Sequence, residues 1–469
     1  MAARIALVTE KAYDHSVDDF TETVEFSVLH CANITGNNNK FYCIEIQKNP
    51  TTEHHRLFSH YGRLGTTNAY DIREEDKNGD PLDYDRCKIE YDKIIKKKQR
   101  GKNVKRGDEE IREYYSVVDV VSPSVGSDNI CNASEVIVSK KAPAINTSNH
   151  DPESGRLIRS IISANIHDIT NNTAMTFTSN GFETPLGPVT ETHLDKATET
   201  LNHLRDEFDG DAMLNENDDD VIDINGEYYS LIPRKFGHII DPSDMILTPD
   251  KLASEYALLD NLRTAVQAGL NTEENTESSM DINIDFLDRK HSDWERLADK
   301  FETTKHRNHS AIAGYHVKNI FTLGIPDVDA RYNPIAKKLG NVQELFHGTK
   351  TANMLSISLK GLIIPPTGSA HVTGRMFGNG VYAATCSTKA LNYAVGYWGG
   401  AQNRDNKAYV LIVNFAMGKE YVATSHLYSG APAGYDSLWA KAGQSLLNDE
   451  LIVYNLNQAT ITHILEVEK

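Results

Sequence analysis

The chain has 469 residues, long for a single hydrophobic core, so two to four domains are expected. Asp and Glu (66) outnumber Lys and Arg (48), and the net charge of −18 argues against a protein that coats nucleic acid over its whole surface. No apolar run approaches the ~20 residues of a membrane helix, the first residues lack a secretory pattern, and five scattered cysteines without a C-x-x-C pair fit a reducing intracellular setting with no structural metal.

Residues 1–24 read as an N-terminal extension. Over 25–118, short β-type segments such as Phe41–Ile46 and Leu57–Tyr61 are separated by Gly, Asn and Thr turns. Tyr84 to Lys98 carries Ile89, Tyr91, Ile94 and Ile95 at helical spacing, which predicts a small sheet crossed by one helix. That helix ends in a basic run, from Lys93 through Lys96, Lys97, Lys98 and Arg100 to Arg106. In an acidic chain such a patch suggests a local polyanion contact, although a solvated face would look the same.

Ser, Asn, Ala and Pro dominate 119–153, as in a linker. Helical periodicity then runs through 154–272: Leu157, Ile158, Ile161, Ile162; Leu194, Ala197, Leu201, Leu204; Leu252, Tyr256, Leu259, Leu262, Val266. Thr190 and Thr192 are candidate N-caps for the second helix, and Gly269 a candidate stop for the third. The acidic run Asp206–Asp223 lacks the glycine of an EF-hand loop and reads as a solvated connection. The last block, 280–469, alternates short strands, turns and helices.

That block holds an ordered set of motifs: Phe346-His347-Gly348-Thr349, Met376-Phe377-Gly378-Asn379-Gly380-Val381-Tyr382, Lys389-Ala390-Leu391-Asn392-Tyr393, and Asn448-Asp449-Glu450-Leu451-Ile452-Val453-Tyr454. Each piece alone is unspecific. In this order they resemble the catalytic domain of the poly(ADP-ribose) polymerases, with its His-Tyr-Glu triad. Asn39-Lys40-Phe41-Tyr42 with Tyr61-Gly62-Arg63-Leu64-Gly65 resembles the WGR domain of the DNA-dependent members, with Tyr61 in place of the tryptophan. Pro185-Leu186-Gly187-Pro188 and the stretch Asn225–Gly237 resemble the family's autoinhibitory helical domain.

The resemblance implies an α+β multidomain chain. It would comprise a WGR-like domain, an all-α regulatory domain, and a mixed α/β transferase domain with an antiparallel split sheet. It implies NAD as substrate, His347, Tyr382 and Glu450 as catalytic residues, and His347, Gly348, Asn353, Tyr382, Lys389 and Tyr393 around the donor. DNA ends and nicks with 5′-phosphates would be met by Tyr61, Arg63, Lys96, Lys97 and Lys98. The expected activity is DNA-break-activated poly(ADP-ribosyl)ation of protein acceptors, the chain itself included, inside the cell: in the nucleus if the source is eukaryotic, in the cytoplasm if it is bacterial or viral. Mono(ADP-ribosyl)transfer and an inactive DNA-end binder are the alternatives. Two residues depart from the family pattern: Ala390 where a serine usually adds a hydrogen bond to the donor, and Ile363 where an arginine often stands.

Overall fold

The computed structural model describes residues 19–20, 22–33, 38–63, 69–106, 109–113, 115–118, 150–178, 181–184, 187–208, 213–234, 242–268, 282–307, 309, 312–364, 376–395, 406–443 and 446–469. Most of the expected linker lies outside them, as do Pro185, Leu186, Lys235 to Gly237 and Gly269.

The N-terminal unit contains β1 (Glu22–Asn33), β2 (Asn38–Lys48), β3 (His55–Arg63) and β4 (Ala69–Arg73), then helix α1 (Tyr84–Arg100). A hairpin of β5 (Lys102–Arg106) and β6 (Glu109–Glu113) follows, then β7 (Ser116–Val118). Five strands form one antiparallel sheet in the order β4–β3–β2–β1–β7. Helix α1 crosses β2 and β3 and buries Cys87 and Tyr91 against Leu29, Ile44, Ile46 and Leu57. The Asp83 carboxylate accepts the Arg86 N–H at its start, and Lys97, Lys98 and Arg100 occupy the last turn, where the helix dipole favours cations.

The middle unit is a helix cluster: α2 (Pro152–Asn172), α3 (Glu191–Asp206), α4 (Asp219–Leu231) and α5 (Pro249–Gln267). Each begins on a side-chain cap, from Asp151, Thr190, Asp218 and Thr248 respectively. Thr190 is thus the cap of α3, and Thr192 lies inside the helix. Two features were not anticipated. The acidic stretch contains the start of α4, and a small sheet of β8 (Thr176–Thr178), β9 (Gly181–Thr184) and β10 (Gly187–Pro188) sits between α2 and α3.

The C-terminal unit runs β11 (Asn283–Phe286), α6 (Ser292–Thr303), β12 (His316–Gly324), α7 (Pro326–Leu339), β13 (Val342–Gly348), α8 (Met354–Lys360), β14 (Val381–Ala384) and α9 (Ser387–Ala394). It continues with β15 (Lys407–Ala416), β16 (Glu420–Ala423), β17 (Ser437–Ala440), β18 (Glu450–Val453) and β19 (Ala459–Glu468). The strand order is β11–β12–β19–β15–β13–β14–β18–β17–β16, antiparallel except for the parallel pair β16–β17. Strand β13 holds β15 along its whole length, from Val342 to Gly348, yet meets β14 only at Phe346 opposite Ala384. The sheet is therefore two arms joined at a single residue pair.

The helix cluster and the C-terminal unit share one continuous apolar core, with Leu157, Ile161, Leu259 and Leu262 on one side and Leu345, Met354, Leu355 and Ile357 on the other. A buried ionic hub reinforces the junction. Arg156 of α2 donates through Nη1 (2.9 Å) and Nη2 (2.6 Å) to Glu466 of β19, which also accepts from Asn319 Nδ2 (2.7 Å) and pairs with Lys407. Burial pushes the Glu466 carboxyl up, but these donors together hold it below the usual carboxylate range. Among the described residues no helix is long and apolar enough to cross a membrane.

Candidate active site

The break between the two arms of the sheet is where the expected catalytic residues converge. His347 follows the joining residue Phe346 on β13, Tyr382 lies on β14, and Glu450 begins β18 directly opposite Ala384. His347 Nδ1 is 2.8 Å from the Tyr382 carbonyl oxygen, to which it donates. This fixes the imidazole with Nε2 away from the strand. Burial lowers the His347 pKa, and that hydrogen bond opposes the shift, so the ring is neutral at physiological pH.

Glu450 is 5 % exposed, and its Oε1 lies 2.7 Å from the Lys389 ammonium of α9. Burial raises the carboxyl above its ordinary value, and the lysine pulls part of that shift back. Lys389 also donates to the Asn448 carbonyl at 3.2 Å. The Tyr382 hydroxyl donates to the Gly378 carbonyl (2.7 Å) and accepts from the Phe377 N–H (3.1 Å), which ties the glycine-rich turn to β14. Tyr393, one turn after Lys389, is 38 % exposed; desolvation and then the charge of Glu450 push its hydroxyl pKa up.

Gly348 is packed against the backbone of α9: a Cβ built on it would lie 1.7 Å from the Ala390 carbonyl oxygen. Proximity, not backbone freedom, requires glycine there. Ala390 itself is buried at 2 % exposure, and Ile363 is 39 % exposed. Asn353, in the turn after β13, donates to Thr349 Oγ1 at 2.9 Å and accepts from Asn261 Nδ2 of α5 at 2.8 Å. One residue earlier in α5, Asp260 accepts from the Ser356 hydroxyl. The helix cluster therefore grips the segment that carries an expected donor contact. Nothing in the sequence pointed to Asp260 or Asn261.

On the N-terminal sheet, Tyr61 is 38 % exposed and stacks on Tyr42 with ring centroids 5.4 Å apart. The side chain of Arg63 lies outside the described residues. Lys96 and Lys97 are exposed, but Lys98 is turned inward, with its ammonium 3.9 Å from the Tyr42 ring centroid and 4.7 Å from that of Tyr115. The spacing from Cys87 and Tyr91 through Ile94 to Lys98 places it on the buried stripe of α1. Of the three lysines expected at the DNA, Lys96 and Lys97 therefore face solvent, while Lys98 is half-buried against the two rings. Among the described residues, no cluster of His, Cys, Asp and Glu could hold a metal.

Three domain families match in succession: the WGR domain over residues 26–110, the poly(ADP-ribose) polymerase regulatory domain over 149–291, and the poly(ADP-ribose) polymerase catalytic domain over 291–469. A putative poly [ADP-ribose] polymerase-like protein of invertebrate iridescent virus 6 is 33 % identical over 136 residues, 27 % of this chain and 70 % of the viral one. The chain belongs to the poly(ADP-ribose) polymerase family. Its C-terminal domain is accordingly an NAD-dependent ADP-ribosyltransferase. Human protein mono-ADP-ribosyltransferase PARP3 is 23 % identical over 432 residues, 88 % of this chain and 76 % of the human protein. Zebrafish poly [ADP-ribose] polymerase 1 is 25 % identical over 327 residues; the match spans 60 % of this chain but only 30 % of that longer relative.

Proposed function

We propose that this protein is a DNA-break-activated poly(ADP-ribose) polymerase that modifies protein acceptors, itself included. The observation that carries the reading is the buried Glu450–Lys389 pair at the split in the sheet, beside His347 and Tyr382. Cleavage of the bond between nicotinamide and ribose releases a neutral leaving group and leaves positive charge on the sugar, so the barrier falls when a carboxylate is held close to that charge. Glu450 fills this role: it binds a hydroxyl of the nicotinamide ribose and accepts the proton of the incoming nucleophile as the new bond to the anomeric carbon forms. Gly348 binds the carboxamide through its backbone, Tyr393 stacks on the nicotinamide ring, and Tyr382 closes the other side. His347 holds an adenosine ribose hydroxyl, with Asn353 and Lys389 lining the pocket.

On this reading residues 25–118 receive DNA, 154–272 regulate, and 280–469 catalyse. Tyr61 and Arg63 meet the break, and Lys96 and Lys97 supply salt-sensitive phosphate attraction. The contacts Asn261–Asn353 and Asp260–Ser356 support a gate, because they hold α5 against the donor segment in the resting state. Gating is then a population shift, in which DNA favours the state with α5 released.

The test is incubation with labelled NAD, with and without a nicked 5′-phosphorylated duplex. DNA-dependent ladders on the protein are expected. Single additions would make the enzyme a mono(ADP-ribosyl)transferase, and equal labelling without DNA would remove the break-sensing role. Replacing Asp260 and Asn261 together by alanine deletes two hydrogen bonds worth about 1 kcal/mol each, so turnover without DNA should rise by about 10-fold or more while the DNA-stimulated maximum stays put. An unchanged rate without DNA would show that these contacts do not restrain the site.

A further inference from the structure

Outside the expected donor contacts, one side chain is wired to the transfer centre from an element the triad does not use. His309 lies in the connection between α6 and β12. Its Nδ1 is 2.9 Å from Thr388 Oγ1 in the first turn of α9, and its Nε2 is 3.4 Å from Asn448 Nδ2, two residues before Glu450. The same threonine oxygen accepts the His306 N–H at 3.0 Å and lies 3.2 Å from Cys386 Sγ. Thr388 is fully buried and Asn448 is 6 % exposed. This set of contacts is satisfied by a neutral imidazole: Nδ1–H donates to the threonine, whose own proton turns to the cysteine sulfur, and Nε2 accepts from the asparagine amide.

We propose that His309 is a positioning residue for Glu450, which ties helix α9 and the turn before β18 to one imidazole. The path is short and continuous. His309 holds the Asn448 side chain, the Asn448 carbonyl accepts from Lys389, and Lys389 holds the Glu450 carboxylate. Thr388, on the other side of the imidazole, directly precedes Lys389 in α9. The two elements that deliver the lysine and the glutamate are thus fixed relative to each other by a group that touches neither.

Protonation would disturb this arrangement, because it turns Nε2 into a donor and forces the Asn448 amide to rotate its oxygen toward the ring. Among the described residues, the charged and titratable groups around the ring are Lys389 from α9, Cys386 just before it and His306 from its own segment, with Glu450 of β18 beyond the lysine. Burial first, then His306 and Lys389, lower the His309 pKa, so the neutral form persists to pH values below the ordinary histidine range. Turnover should fall as pH drops through that lowered value.

The inference rests on Glu450 being the working carboxylate, so the test carries Glu450→Gln as a control. Nicotinamide release from NAD by the full chain would be followed across about pH 5–8 for wild type, His309→Leu, His309→Gln and Glu450→Gln. His309→Leu should lower kcat by about 10-fold with KM for NAD little changed, because a misplaced catalytic group slows chemistry more than it weakens binding. Glutamine can still accept from Asn448, so His309→Gln should recover most of kcat and move the acid limb to lower pH. Wild-type kcat in His309→Leu, or equal losses in both variants with an unmoved acid limb, would overturn the proposal. Full activity in Glu450→Gln would overturn the reading of the site, and this inference with it.

Discussion

Glu450→Gln is expected to lower NAD turnover by about 10²–10³-fold, and to shorten whatever products remain. Glutamine preserves the size of the side chain and its capacity to hold a ribose hydroxyl, so donor binding should change far less than the rate. What it removes is negative charge at a buried position, where a charge facing the developing cation on the sugar is strongest because water is excluded. It also removes the proton acceptor for the incoming nucleophile. The variant leaves Lys389, only 11 % exposed, without its carboxylate. A stability loss from a buried ammonium without a compensating charge must therefore be separated from the catalytic loss. The double variant Lys389→Met, Glu450→Gln addresses this, because it should recover melting temperature without recovering turnover. Nicotinamide release with saturating NAD is the measurement, and a wild-type rate in Glu450→Gln would remove the carboxylate from the mechanism.

Why the sequence pointed to this residue, yet not to its surroundings, has a physical cause. Periodicity and capping are local, so α1, α2, α3 and α5 could be read directly from apolar spacing and from residues such as Thr190. The start of α4 was missed because its acidic residues look like a solvated loop. In the structure Asp218 caps the helix and Asp219 and Asp220 fill its first turn, where the dipole favours negative charge. Lys98 differs from Lys96 and Lys97 because α1 has a buried stripe, which the composition of the basic run does not reveal. Its ammonium lies over two tyrosine rings, a placement that the helical spacing from Tyr91 already carried.

Non-local features were harder to reach. The order of the His347, Tyr382 and Glu450 motifs is visible in one dimension, but their convergence depends on the single pairing of Phe346 with Ala384 and on β18 joining β14. The restraint of Asn353 by Asn261 joins residues 92 positions apart, and the link from His309 to Asn448 joins residues 139 apart. Both involve uncharged polar side chains with no distinctive pattern around them. Such contacts become visible only when the sheet and the helix cluster are assembled in three dimensions.

Gly348→Ala should be the second most damaging single change, raising KM for NAD by about 10²-fold. The methyl group would stand 1.7 Å from the Ala390 carbonyl oxygen, 2.5 Å from its carbon and 3.0 Å from its Cα. All three are backbone atoms, so no side-chain rotation relieves the clash, and β13 must separate from α9. Overpacking of this kind costs about 1–3 kcal/mol of stability, which a domain of this size survives. The larger consequence is geometric. Strand β13 carries His347 beside the glycine, and α9 carries Lys389 and Tyr393, so the movement spreads the residues proposed to bind the two ends of NAD. Because these are binding groups, the spread falls on affinity, and losing about two hydrogen bonds of roughly 1–1.5 kcal/mol each gives a loss of this order. Saturation kinetics of nicotinamide release, paired with a melting curve, separates the two effects. A folded variant with unchanged KM would mean that the close approach of β13 to α9 serves packing alone, and that the carboxamide is held elsewhere.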